Sequence, residues 1–315
     1  MGAPGKITRL PVYARLLGKV ILYGLPRFLI HFGGGIGDDL LCSVVAHELR
    51  ARNNDGIWVS SIYPELFVNN SDVDAVIHPN QGIAALSSMG VKIPWLAYST
   101  NLPAEDRDTS PDEHILSIMC RAAGISGQIA LRPYLHLSPK EHAEGLIVPG
   151  QISIQTSGLS AQYSMKNKEW FPERFQAIVD RFSSSHTFVQ IGSAADPALS
   201  GVIDMRGKTS LRKTASILSR SVLFVGLVGG LMHLARSVDC RSVILYGGRE
   251  LPFQSGYPCN RNLVGGCECS PCWRWNRCGH DRRCMSSISS EVAIEAVREM
   301  LNDPIGPLAL TRVKI

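Results

Sequence analysis

The chain has 315 residues, of which 45% are hydrophobic, 19% charged and 7% aromatic, and carries a formal net charge of +5. This length predicts two α/β domains of about 150 residues each, and the composition excludes a disordered chain. No stretch is long and apolar enough to span a bilayer, and the modest charge, spread over short basic groups, points to phosphate or an anionic membrane surface as partner.

Residues 12–22 set Val12, Leu16 and Val20 beside Tyr13, Leu17 and Ile21 at helical spacing, with Arg15 and Lys19 on another side. The pattern is an amphipathic basic helix, which either covers its own domain or docks on a membrane surface. Arg15, Lys19, Pro26 and Arg27 interrupt the apolar run from Leu10 to Ile30, and no small-residue cleavage site follows. It therefore does not read as a signal peptide, and a cytoplasmic location is expected.

Phe28–Phe32 reads as a buried strand, Gly33-Gly-Gly-Ile-Gly37 as a turn, and the following residues as a helix with Leu40, Leu41, Val44, Val45 and Leu49 on its apolar face. Strand and helix signals continue through 56–61, 75–78 and 114–123. A polar stretch, 138–150, reads as a linker, so a first domain is expected over 1–150 and a second over 151–315. The second half alternates more cleanly: strands 152–155, 187–191, 222–225 and 242–246 with helices 172–182, 211–218 and 231–238. That order predicts a parallel sheet covered on both faces. After a Cys-rich segment, 259–285, Ser290 is expected to cap a last helix bearing Val292, Ile294, Ala296, Val297 and Met300.

Four places can carry chemistry. The loop with Gly35, Gly37, Asp38 and Asp39 sits beyond a strand and at a helix start, where α/β folds place ligands. It lacks the G-x-G-x-x-G spacing of a dinucleotide site; a carboxylate there is held ionised by the helix dipole, and Asp38 is either a base facing a hydroxyl or a helix cap. Lys166-Asn-Lys168 places cations before a helix, as phosphate ligands or as a solvated loop. Gly229 and Gly230 open a helix whose N–H groups could meet a diphosphate, with His233 one turn in as a positioning residue at most. Five cysteines between Cys267 and Cys284 should be reduced in the cytoplasm. Cys269, Cys272, Cys278 and Cys284, with Cys267 or His280 as substitutes, could enclose a structural zinc or iron.

In this order the pieces resemble glycosyltransferase family 9, the bacterial lipopolysaccharide heptosyltransferases and their relatives. The resemblance rests on Gly37-Asp38, Lys168-Glu-Trp-Phe-Pro-Glu-Arg-Phe175, Ile191-Gly-Ser193 with Asp196, Gly207-Lys-Thr-Ser-Leu211, Gly230-Leu-Met-His-Leu-Ala235, and Cys269-Ser-Pro-Cys272 through Cys284-Met285. It implies a GT-B fold: two Rossmann-like domains facing a cleft, the acceptor on the first, the sugar nucleotide on the second, and the last helix crossing back. It further implies inverting transfer of a sugar such as a heptose to a hydroxyl of a surface saccharide, a lipid-linked glycan or a protein, without a catalytic metal. Carried over, Asp38 would be the base, Lys168 would neutralise the diphosphate, Asp196 would meet the ribose, and Gly229, Gly230, Leu231, Met232 and His233 would hold the diphosphate. Two positions depart from the family: Val228 stands where many members have Asp, and Asp196 where Glu is more usual. The cysteine pattern is similar to that of relatives whose thiolates bind iron, notably autotransporter heptosyltransferases.

Two rival functions use the same residues. A sugar-nucleotide epimerase could employ Asp38 to abstract a proton. A nucleic-acid-binding module could use Arg274, Arg277, Arg282, Arg283, Trp273 and Trp275 of the Cys-rich segment.

Overall fold

A computed structural model describes residues 10–79, 82–303 and 308–315, with side chains from residue 14 onward. The expected side-chain positions of Val12 and Tyr13 lie outside that range. No described helix is long and apolar enough to cross a membrane.

The first half holds a parallel sheet of strands Phe28–His31, Ile57–Ser60 and Ala75–Ile77, in that spatial order. Alternate side chains serve its two faces. Leu29, Trp58 and Ile77 face the helix Leu10–Tyr23 through buried Leu16, whereas Ile30, Ile57 and Val59 face the helix Ile36–Asn53. The five apolar residues expected on that second helix are all buried.

The second half is a six-stranded parallel sheet. Its spatial order is Arg261–Val264, Ser242–Gly247, Leu223–Leu227, Ile152–Ile154, Phe188–Gln190 and Ile203–Asp204. Strand order reverses between Leu223–Leu227 and Ile152–Ile154, and such a reversal opens a crevice at the strand carboxyl ends. Helices Pro172–Phe182, Leu211–Ser219 and Gly230–Ser237 cover the sheet close to their expected bounds.

One hydrophobic core runs through both halves: Leu40, Val44 and Val45 of the first share it with Met232, Leu234 and Ala235 of the second. The helices beginning at residues 36 and 230 meet at their first turns. A Cβ built on Gly37 would lie 3.3 Å from the Gly230 Cα and 3.1 Å from the His233 ring, so a side chain at Gly37 would wedge the helix starts apart.

Three expectations are corrected. The stretch 138–150 is not a free linker: Ser138 caps the helix Pro139–Glu144, which docks on Leu211–Ser219 through the Arg212–Glu141 ion pair. The last helix, Ser290–Asn302, is capped by Ser289 rather than Ser290, because the Ser289 hydroxyl accepts the Val292 N–H. It also stays on the second half, packed against Pro172–Phe182. The segment that returns to the first half is the tail, where Arg312–Lys314 pairs antiparallel with Gln128–Ala130.

Candidate active site

A cavity of about 360 Å³ lies between the halves, and its walls include Gly35, Gly37, Asp38, Lys168, Asp196, Gly229, Gly230, Leu231 and His233. These residues are distant in sequence and come together because each follows a strand's carboxyl end or opens a helix. Met232 and Asp39 are not in the wall. Met232 is in the core, and Asp39 points inward to the Ser61 hydroxyl at 2.5 Å.

Asp38 occupies the third position of its helix. One carboxylate oxygen accepts the Gly35 N–H at 3.0 Å, a reach-back cap, and the other accepts the Tyr98 hydroxyl at 2.7 Å. Capping and facing the cavity are thus compatible. Burial dominates its acidity and holds the pKa above the ordinary carboxylate range, against the opposing pull of Tyr98, Gly35 and Lys168. The helix terminus alone suggested a readily ionised group; desolvation outweighs it. Burial also pushes Asp39 up to about 6.

Lys168 ends the short turn Lys166–Lys168, with its ammonium 2.5 Å from Glu250. Burial pulls the Lys168 pKa down and Glu250 resists it. Burial would raise Glu250, but Lys168 and Arg249 prevail and hold it at about 2, so the carboxylate stays ionised. Ser255 donates to its second oxygen at 2.6 Å. Arg249 continues the chain of charges: it lies 2.8 Å from Asp108 of the first half and stacks over Trp273, 4.7 Å from the ring centroid.

Gly229 has φ +154°, and a Cβ there would meet nothing within 4 Å, so the backbone is open to the cavity at the start of the helix Gly230–Ser237. The His233 ring is 2.6 Å from the Tyr257 hydroxyl, and burial lowers its pKa to about 3, leaving it neutral. Asp196 accepts the Ser193 N–H at 2.9 Å within its own turn and has Ser160 at 3.4 Å.

Tyr98, Asp108, Arg249 and Glu250 also line the cavity and were not expected there, and Trp273, expected only as a nucleic-acid contact, joins them. One signal for them existed: Gly247–Glu250 leaves the carboxyl end of a central parallel strand. Tyr98 and Asp108 lie in irregular chain or two-residue strands, which periodicity does not mark.

The Cys-rich segment packs against the first half. Trp273 is buried, Trp275 donates to Asp108 at 2.8 Å, and Asp106 accepts the Asn276 and Arg277 backbone N–H groups. Arg282 is spent on the Glu169 and Lys166 carbonyls. Trp273, Trp275 and Arg282 of the nucleic-acid reading therefore serve internal contacts. Among the described residues no group of three or more His, Cys, Asp or Glu side chains is arranged to hold an ion, while Cys267, Cys272 and Cys284 all act electrostatically on Cys269. The Cys267 and Cys269 sulfurs are 3.2 Å apart.

Residues 158–277, which contain Lys168, Asp196, the Gly229–His233 turn and Glu250, match glycosyltransferase family 9 (heptosyltransferase). That segment is a glycosyltransferase family 9 domain. The match supports glycosyltransferase activity, and Asp38 contributes to the cavity from outside the matched region. Curated protein sequences yield no match.

Solved structures share the fold of nearly the whole chain. A family 9 glycosyltransferase from Veillonella parvula is 14% identical with a TM-score of 0.65, over 89% of this chain and 98% of its own. The iron-containing dodecameric glycosyltransferase TibC from enterotoxigenic E. coli is 17% identical with a TM-score of 0.70, over 88% of this chain and 76% of its own. E. coli ADP-heptose lipopolysaccharide heptosyltransferase II is 14% identical with a TM-score of 0.63, over 87% and 98%. The two facing α/β halves are those of this fold.

Proposed function

We propose that the protein transfers a heptose, with inversion, from an ADP-linked donor to a hydroxyl of a surface saccharide, a lipid-linked glycan or a protein. The observation that carries this is the meeting of Asp38, on the first half, with Lys168 and the Gly229–Gly230 helix start, on the second, around one cavity. Asp38 is a base matched to an alcohol, since its raised pKa makes it a better proton acceptor than an exposed carboxylate. As the acceptor oxygen attacks the anomeric carbon, its proton passes to Asp38 and the bond to the diphosphate breaks. The electrons leave with the diphosphate, where the Lys168 ammonium and the N–H groups at Gly230 meet the charge. ADP-heptose is the donor favoured because a TibC structure of this fold, 15% identical, holds ADP-D-β-D-heptose.

The test is thermal denaturation with ADP-, GDP- and UDP-sugars, followed by product analysis. ADP-heptose at about 100 times its Kd is expected to stabilise the fold by about 2.7 kcal/mol, with the other nucleotides weaker. No stabilisation by any sugar nucleotide would sink the reading, and conversion of donor to an epimer without acceptor would replace it by epimerase chemistry.

We propose also that Cys269, Cys272, Cys278 and Cys284 hold a structural zinc or iron. The support is a crowding of thiols: burial, then Cys267, Cys272 and Cys284, drive Cys269 up to about 12, and binding thiolates to a cation relieves such repulsion. Metal analysis of anaerobically purified protein is expected to give about one ion per chain, as a filled four-thiolate site requires. Far less than one equivalent of both metals would refute it.

A further inference from the structure

The helix Leu10–Tyr23 is apolar on two sides. One side buries Leu16 and partly buries Val20 against the sheet, while the other leaves Leu17 59%, Ile21 78% and Leu22 71% exposed. Residues 17, 21 and 22 share a helix face, and an i,i+4 column of Arg15 and Lys19 flanks them. The chain continues into exposed Tyr23 and Leu25.

Charge is distributed with the same asymmetry. The first 37 residues contain Lys6, Arg9, Arg15, Lys19 and Arg27 and no Asp or Glu, which equals the entire net charge of +5. The remaining chain is therefore neutral. An exposed apolar ridge flanked by Arg15 and Lys19, in a segment that carries no acidic residue, matches the chemistry of an anionic lipid surface, where apolar side chains enter the acyl boundary and cations meet phosphate. A second copy of the chain fits less well, because pairing two such ridges brings like charges together.

We propose that the Leu17, Ile21 and Leu22 face, with Arg15 and Lys19, docks this protein on an anionic membrane. The helix lies on the sheet face opposite the helix Ile36–Asn53, whose first turn lines the cavity. The inference stands whether or not the donor is ADP-heptose.

The test is co-sedimentation of the full chain with phosphatidylcholine vesicles, with and without phosphatidylglycerol, at low and high salt, alongside light scattering without vesicles. Binding is expected only to the anionic vesicles and to fall with salt. Arg15→Glu with Lys19→Glu is expected to weaken it about tenfold or more, and Leu17→Glu with Ile21→Glu to abolish it. Both double variants change exposed or half-exposed side chains, so thermal unfolding near that of the parent verifies the fold. Failure of the parent to bind anionic vesicles at low salt overturns the proposal, as does undiminished binding by either double variant. A concentration-dependent dimer that Leu17→Glu with Ile21→Glu dissociates would assign the ridge to a second copy instead.

Discussion

Replacing Asp38 with asparagine is expected to lower kcat by about 10²- to 10⁴-fold, the usual contribution of a positioned base, while donor affinity stays nearly unchanged. Asparagine keeps an oxygen that can accept either the Gly35 N–H or the Tyr98 hydroxyl, so the helix start is largely preserved. Calorimetric titration with donor and steady-state kinetics separate the two effects: binding without turnover identifies the base, whereas loss of both marks a structural role. A variant that still transfers sugar at the parent rate would remove Asp38 from the mechanism. The pH profile supplies an independent readout. A base works only when deprotonated, so activity falls as pH drops through its pKa. Because burial raises that pKa, the fall begins at a higher pH than for an exposed aspartate.

Glu250→Gln is expected to be the more damaging change to the fold. It leaves the half-buried Lys168 ammonium beside buried Arg249 with its nearest counter-ion gone; breaking one side of a fully buried pair costs about 3–5 kcal/mol, and the partial exposure of Lys168 puts the expected loss at or below the lower end of that range. Chemical denaturation should show this loss, together with weaker donor binding as Lys168 shifts. The linkage to pH has a definite sign. Glu250 is held at about 2 in the fold, below its ordinary value of 4.5, so its contribution is fully present above 4.5 and is lost as pH falls toward 2. The parent should therefore lose stability across that window more steeply than Glu250→Gln. Equal acid sensitivity of the two proteins would mean that the pair contributes nothing.

The second half was legible because its helices are amphipathic and its strands continuously apolar: Pro172–Phe182 buries Phe175, Ile178, Val179 and Phe182 at helical spacing. Loop-borne site residues at strand ends were legible for the same reason, since Asp38, Lys168 and Gly229 each adjoin an element that periodicity locates. Partners across the cavity were not. Nothing local connects Lys168 with Glu250, or Arg249 with Asp108: the first pair is created only when distant loops of the second half fold together, the second only when the halves pack. The segment 138–150 misled for a related reason: its polar residues form a capped helix whose stability comes from Arg212, far along the chain. Trp273 and Trp275 were equally ambiguous, since only tertiary structure reveals which surface an aromatic in an irregular segment meets.

The contact between Gly37 and Gly230 brings two helices together positive end to positive end. On the first, the Asp38 carboxylate offsets part of that charge; the first turn of the second contains no acidic residue. The two like-signed ends repel across the joint. A donor diphosphate bound beside that joint, as the proposed function requires, would be attracted to both ends at once, so its charge would act as the mortar of the joint.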